Sequence, residues 1–255
     1  MKTEKWIRHF EKNRSGWTEP DWKAACELPR SLREPLAKSI AIFQLGESGD
    51  GTTIRRYAKK LEGITGMDNY DAALCLFITE EQRHAGLLAK VVGYLDGERL
   101  ETQWSNSCFS KLRHFINLEF SIQILVTAEI IGMTYYAALG RHCGDQTVVA
   151  LCNKLVRDEV KHITFHVEFL SERFSDSGRA GRMLWAAQFR AIFEGTLHAM
   201  WLDHGGCLKN FGTRRGDFFR SARRSREWFL RNVLAHQETS PYAELDALAL
   251  KRLAP

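Results

Sequence analysis

The chain has 255 residues, of which 44% are hydrophobic and 26% are charged, and its formal net charge is +5. These values are ordinary for a soluble globular protein and exclude a low-complexity chain. Proline, the strongest helix breaker, is absent between Pro35 and Pro241. The composition therefore favours an all-α fold.

The first residues and the cysteines argue against secretion and against a thiolate metal site. The first six residues are too charged for a signal peptide, and no window holds the roughly 18 apolar residues expected of a membrane-spanning helix. The six cysteines form no Cys-x-x-Cys motif, which excludes a zinc ribbon or a rubredoxin-like iron centre. We therefore expect a cytoplasmic protein with free thiols.

The N-terminal part of the chain predicts a short cap and then a long helix. Residues 1–30 are polar with interspersed aromatic side chains, and we expect them to form the cap. From Ser31 apolar residues recur at helical spacing, and Ser31 with Glu34 has the spacing of a capping box. Glu47 lies on the apolar stripe of this helix, four residues after Phe43.

Three glycines surround Glu47, at positions 46, 49 and 51. Each glycine costs about 1 kcal/mol in a helix interior. Two interpretations therefore stay open. Either the helix is interrupted and Glu47 lies in a solvated loop, or small residues are required next to something bulky.

A second helix is predicted from about Asp68 to Leu95, with Asp96-Gly97 at its end. Its stripe alternates steps of four and three residues: Tyr70, Leu74, Phe77, Glu81, His84, Leu88, Val91 and Leu95. Glu81 and His84 thus occupy core positions in an otherwise apolar stripe. A buried carboxylate needs a partner, because its isolated desolvation cost is prohibitive.

Two further helices are predicted over residues 109–139 and 146–174. The second repeats the stripe, as Val148, Cys152, Leu155, Glu159, His162, His166 and Phe169. The first contains two candidate acids, Glu119 and Glu129. If a short turn joins the helices as an antiparallel pair, Glu129 lies near the height of Glu159, whereas Glu119 would be off by about 10 Å. Glu129 is therefore the better candidate.

The C-terminal part predicts a fifth helix, about residues 179–204 and ended by Gly205-Gly206, and a basic helix over about residues 213–236. Between Lys209 and Arg231 the local charge is +6, since eight basic residues stand against two acids. Such a run is usually a solvated face, and it also fits an acidic or phosphate-bearing partner. The candidate partner-binding residues are Arg214, Arg215, Arg220, Arg223 and Arg224.

The inward polar residues of the four central helices form one set: Glu47, Glu81, His84, Glu129, Glu159 and His162. Two Glu-x-x-His motifs, with one glutamate from each of two other helices, are what a four-helix bundle uses to hold two metal ions. Carboxylates with two histidines suit iron or manganese. Four carboxylates would also balance the charge of two divalent ions.

An acid precedes the glutamate of each motif: Glu80 in the first and Asp158 in the second. A metal-bound histidine normally donates its other ring N–H to a carboxylate. We expect Asp158 to pair with His84, and Glu80 with His162. His166, one turn beyond His162, is expected to support the site or the core rather than to bind metal.

The ordered set resembles the ferritin-like di-iron carboxylate superfamily over about residues 31–175. Glu80-Glu81-Gln82-Arg83-His84 is similar to the Glu-Glu-x-Arg-His stretch of soluble acyl-carrier-protein desaturases, and Asp158-Glu159 with His162 is similar to their second motif. The resemblance implies a ferritin-like antiparallel four-helix bundle in residues 31–175, with the helices of residues 176–255 packed on it as one domain. It also implies two iron ions, or iron and manganese, that react with O₂ or peroxide and draw on an external electron donor.

Three function classes remain open. The first is an oxidase or oxygenase that hydroxylates or desaturates a small organic substrate, apolar or acyl; the roughly 80 residues beyond the four helices favour it. The second is a ferroxidase or peroxide scavenger like ferritins and rubrerythrins. The third is a metal-free helical binding protein that uses the basic helix. An acidic carrier or redox protein fits that helix, nucleic acid is not expected, and a homodimer is compatible with the sequence.

Overall fold

The protein is described from a computed structural model, which covers residues 1–17, 19–61, 68–104, 118–175 and 177–235. The elements in these ranges are helices, with no strand among them, so the all-α prediction is confirmed. They are α1 (Thr3–Ser15), α2 (Arg30–Glu47), α3 (Thr52–Ala58), α4 (Tyr70–Tyr94), α5 (Leu118–His142), α6 (Gln146–Arg173), α7 (Arg179–Asn210) and α8 (Arg215–Ala235). A 3₁₀ turn, Lys59–Leu61, follows α3.

The contacts divide the chain into a first unit, Met1–Ile122, and a second unit, Gln123–Pro255. The predicted division into a cap, a four-helix bundle and additional helices stays a prediction. The predicted helix over residues 109–139 is described from Leu118 onward, and its earlier part lies outside the described residues, as does His236 at the end of the basic helix.

In the first unit, α1, α2 and α3 all pack against α4. The ring of Phe10 on α1 meets that of Phe77 on α4, with 6.3 Å between the centroids. The stripe predicted for α4 is buried throughout: Tyr70, Leu74, Phe77, Glu81, His84, Leu88, Val91 and Leu95. The same stripe that packs α4 into the apolar core therefore carries Glu81 and His84 inside.

The start of α2 differs from the prediction. The helix begins at Arg30, directly after the extended residue Pro29, and no side chain caps it. Ser31 is consequently the second helical residue, where its hydroxyl cannot act as the N-cap. The predicted capping box of Ser31 and Glu34 is therefore wrong.

The glycine cluster at the end of α2 both interrupts the helix and places a small residue beside a bulky side chain. The helix ends at Glu47, and α3 begins only at Thr52. Gly51, between them, has a φ of +67°, which disfavours any residue with a side chain. A Cβ on Gly51 would also lie 2.6 Å from Cδ1 of Ile78 on α4. The helix is thus interrupted, and a small residue is needed beside a bulky one.

In the second unit, α6 and α7 both pack against α8. Asp145 caps α6, since its Oδ1 accepts a hydrogen bond from the N–H of Val148 at 2.9 Å. The stripe predicted for α6 is also buried throughout: Val148, Cys152, Leu155, Glu159, His162, His166 and Phe169.

The predicted end of the fifth helix is wrong, because α7 continues through Gly205 and Gly206 to Asn210. Gly205 leaves room for a neighbouring ring, since a Cβ there would lie 2.7 Å from Cε2 of Trp201. The missing side chain therefore serves packing within the helix and does not end it.

The described residues contain one helix long and apolar enough to span a membrane, which is α5. Its most apolar window has a mean hydropathy of 1.4 and is 83% buried. The core helix of a soluble protein has the same character, so α5 is weak evidence for a membrane span. The cytoplasmic location stays a prediction.

Candidate metal centre

The α4 motif holds Glu81 and His84 one turn apart on its buried side. Glu81 is 8% exposed and His84 is 1% exposed. Nδ1 of His84 lies 3.8 Å from Oε1 of Glu81, which is too long for a hydrogen bond. The three-residue spacing thus brings an oxygen and a nitrogen close together without joining them to each other.

The residues beside this motif fasten α4 to the end of α1. Glu80 is buried and accepts a hydrogen bond from the side-chain amide of Asn13. Arg83 donates to the main-chain carbonyls of Asn13 and Arg14, at 3.0 and 2.9 Å. These bonds oppose rotation of α4 about its axis and so help to hold Glu81 and His84 in their inward position.

The α6 motif repeats the arrangement in the second unit. Glu159 is 2% exposed and His162 is fully buried. Nδ1 of His162 lies 3.3 Å from Oε2 of Glu159, and these two atoms form no hydrogen bond with each other. The two motifs therefore present the same pair of atoms, a histidine Nδ1 and a glutamate oxygen.

Asp158 forms a buried ion pair that the sequence analysis missed. Nζ of Lys154 donates to both carboxylate oxygens of Asp158, to Oδ1 at 2.5 Å. Lys154 is 3% exposed and Asp158 is 5% exposed. The spacing of four residues on a helix is the signal that could have found this pair. The pairings of Asp158 with His84 and of Glu80 with His162 stay predictions.

Glu129 of α5 lies next to the α6 motif. Its side chain is buried, and its Oε1 lies 3.1 Å from Nε2 of His166. Burial raises the pKa of the Glu129 carboxyl above its ordinary value, although the charges of His166 and His162 oppose the rise; the charge of Glu159 adds to it. The competing candidate, Glu119, is only half-buried, in the first turn of α5.

The second oxygen of Glu129, Oε2, is buried and has no hydrogen-bond partner in the part of the chain that the structure describes. A buried carboxylate oxygen without a partner is costly, because it has lost its water and gained nothing in return. A bound cation would remove that cost. The environment of Glu129 therefore fits a metal ligand better than a structural acid.

Four of the predicted ligands form one buried group: Glu81, His84, Glu159 and His162. One potential ligand atom of each lies within 4.8 Å of those of the other three. Two carboxylate oxygens and two imidazole nitrogens suit divalent transition metals such as iron, manganese or zinc. The group can therefore hold a metal ion.

Glu47 and Glu129 are not members of this four-residue group. Glu47 is the last residue of α2 and is half-buried, so it is neither in the solvated loop nor in the core. The roles of both glutamates as ligands stay predictions.

Of the candidate partner-binding arginines, Arg214 directly precedes α8 and the other four lie in its first half, and all five are exposed. Three of them pair with acids: Arg223 with Glu194 at 2.7 Å, Arg220 with Asp217 at 2.6 Å and Arg214 with Asp217 at 3.8 Å. The guanidinium of Arg215 lies over the ring of Phe219, 4.8 Å from its centroid. Part of the basic run thus stabilises the second unit itself.

Comparisons with protein-family models, with curated proteins and with solved structures found no match to this chain. The buried group of glutamates and histidines is therefore the feature of this chain that indicates a function.

Proposed function

We propose that the protein is an oxidoreductase with a di-iron, or iron–manganese, carboxylate centre. The observation that carries the proposal is the buried group of Glu81, His84, Glu159 and His162, with potential ligand atoms within 4.8 Å of one another. When bound, the metal pair would supply the O₂ chemistry needed to hydroxylate or desaturate an organic substrate.

Each motif would contribute one carboxylate and one imidazole. His84 and His162 would bind through Nδ1, the nitrogen that lies near the glutamate of the same motif. Binding through Nδ1 leaves Nε2 to donate its proton to a protein acceptor, which fixes the tautomer and the ring orientation. The apolar stripe around each motif would exclude bulk water from the ligands.

Glu129 is proposed as a further ligand through Oε2. His166 holds the other oxygen of this carboxylate, so the side chain is already oriented before a metal binds. Glu47 is proposed as the fourth carboxylate, from the end of α2. Together with Glu81 and Glu159 these groups would neutralise two divalent ions, as in other dimetal four-helix sites.

The proposed substrate is a small organic molecule, apolar or acyl. The support for it is the presence of α7 and α8, which follow the helices that carry the ligands and exceed what metal storage requires. An external electron donor would also be needed, because hydroxylation or desaturation by O₂ consumes two electrons that the organic substrate does not supply.

The test is to load the metal-free protein anaerobically with two equivalents of Fe²⁺ and to mix it with O₂ in a stopped-flow instrument. Fatty acids and acyl thioesters are added in parallel, and the products are identified by mass spectrometry. We expect rapid O₂ consumption and an oxidised organic product. Accumulation of ferric mineral without such a product would favour a ferroxidase, and no O₂ consumption would contradict both functions.

A further inference from the structure

A pocket of about 390 Å³ lies in the second unit, between the C-terminal end of α5 and the N-terminal end of α8. Its size is within the range of sites for small organic molecules. The fully charged side chains that line it are Arg141, Arg214, Arg220, Arg224 and Asp217, which give a net charge of +3. The proposed metal chemistry does not use this pocket.

The arginines of α8 divide into two groups with different partners. Arg223 and Arg226 both bind Glu194 of α7, with N–O distances of 2.7 and 2.5 Å. These two residues hold α8 against α7 and are committed to the fold. Arg224 instead lines the pocket, and it forms no hydrogen bond or ion pair within the described part of the chain.

Among the residues that line the pocket, the one acid is Asp217, which offsets part of the positive charge. Asp217 accepts a hydrogen bond from Arg220 at 2.6 Å and lies 3.8 Å from Nε of Arg214. One carboxylate cannot neutralise both of these arginines, and Arg224 has no acid of its own among the described residues. The planar guanidinium group donates pairs of hydrogen bonds that match the oxygens of a phosphate. The pocket therefore favours a compact anion with more than one negative charge.

Thr213 provides a second and independent indication of a ligand. It lines the pocket immediately before α8 and is only 8% exposed, and its buried Oγ1 has no hydrogen-bond partner within the described ranges. Such a hydroxyl in a native structure calls for a partner. The first N–H groups of the 21-residue helix α8 also begin here, where the helix dipole favours an anion.

We propose that this pocket binds a phosphate group, free or as a small phosphomonoester. Arg224 and Arg220 would contact the phosphate oxygens, Thr213 Oγ1 would complete the contacts, and Arg141 would contribute charge from α5. Arg214, with 89% of its side chain exposed, would lie at the rim. The proposal is independent of the metal centre.

The test is isothermal titration of the full chain at low salt with phenyl phosphate, inorganic phosphate and, as the uncharged control, phenol. Arg224→Gln should weaken phosphate binding about tenfold or more, because it removes a hydrogen bond to a charged group. Thr213→Val should weaken it several-fold without altering any charge. Arg231→Gln is the matched control, since it removes the same charge from an exposed position of the same helix outside the pocket, and its affinity should stay within about twofold of the wild type.

If Arg231→Gln lost as much affinity as Arg224→Gln, or if Thr213→Val kept the wild-type affinity, the binding would be diffuse attraction to a basic surface and the proposal would be overturned. Tighter binding of phenyl phosphate than of inorganic phosphate would assign the site to a phosphomonoester, and equal binding would assign it to free phosphate; both results support the phosphate site. Binding of polyglutamate without binding of either phosphate would overturn it in favour of an acidic protein partner.

Discussion

Nε2 of His166 lies 3.1 Å from Oε1 of Glu129, and both side chains are buried. This contact links α6 to α5 one helical turn beyond His162. It leaves Oε2 of Glu129 without a hydrogen-bond partner among the described residues. A histidine that the sequence assigned to a supporting role is thus the residue that orients a proposed ligand.

Replacing His166 should therefore weaken metal binding without removing a ligand. We expect His166→Phe to lower the affinity for Fe²⁺ or Mn²⁺ by about 10- to 100-fold, the usual effect of losing a residue that orients a metal ligand. Anaerobic titration calorimetry measures this change. His198→Phe is the control, because His198 is exposed and its Nδ1 bonds only to a carbonyl of its own helix. Equal affinities of the two variants would contradict the role given to His166.

The two acids of α5 can be separated by the same measurement. Glu129→Gln keeps the shape of the side chain but removes its charge, so we expect it to lower metal affinity about tenfold or more. Glu119→Gln should leave metal affinity unchanged, because Glu119 is half-buried near the start of the helix. A loss of metal affinity in Glu119→Gln together with normal binding by Glu129→Gln would show that α5 contributes Glu119 instead.

The buried pair of Lys154 and Asp158 should be strongly coupled in stability. Removing one partner leaves a buried charge uncompensated, so we expect Lys154→Met to destabilise the protein by about 3–5 kcal/mol. The double variant Lys154→Met with Asp158→Leu should recover much of that loss. Urea unfolding of the wild type, both single variants and the double variant measures the coupling. If the destabilisation of the double variant equalled the sum for the two single variants, the two residues would not be coupled.

His204 should make the protein sensitive to mild acid. It is 4% exposed, and burial lowers its pKa from 6.5 to about 4, while the charge of Asp203 opposes the shift. Below pH 6.5 the unfolded chain gains a proton at this histidine that the folded chain does not bind. Stability is therefore highest above that pH and falls by roughly 3 kcal/mol as the pH approaches 4.

The variant His204→Phe, which keeps an aromatic ring against Tyr135, should flatten this dependence. Urea unfolding at several values between pH 7 and pH 4 compares it with the wild type and with the exposed control His198→Phe. If the free energy of unfolding of His204→Phe fell with pH as steeply as that of the wild type, other titrating groups would be responsible for the acid sensitivity.

The burial of the four motif residues could be predicted from the sequence, because it follows from the regular spacing of apolar residues along each helix. Each stripe alternates steps of four and three, so Glu81 and His84 had to be buried if their apolar neighbours were. The choice of Glu129 over Glu119 followed from helix length alone, and the burial of Glu129 agrees with that choice.

Contacts between distant parts of the chain could not be predicted in the same way. The bond from Asn13 to Glu80 joins residues 67 positions apart, and no local pattern encodes it. The ring of Trp201 fills the space beside Gly205, and it also packs against Phe218 and Phe219 of α8, which no local pattern predicts. A count of charges along the sequence could not locate the pocket at the start of α8 either. Such a count does not distinguish Arg224, which lines the pocket, from Arg223, which is paired with Glu194.

The most direct test of the metal centre is metal analysis of the chain after anaerobic loading with Fe²⁺ and removal of unbound ions. The wild type should retain about two ions per chain. His84→Ala and His162→Ala should each retain clearly less, whereas His198→Ala should equal the wild type. A wild-type protein that retains no metal, or a full metal content in both His84→Ala and His162→Ala, would contradict the account.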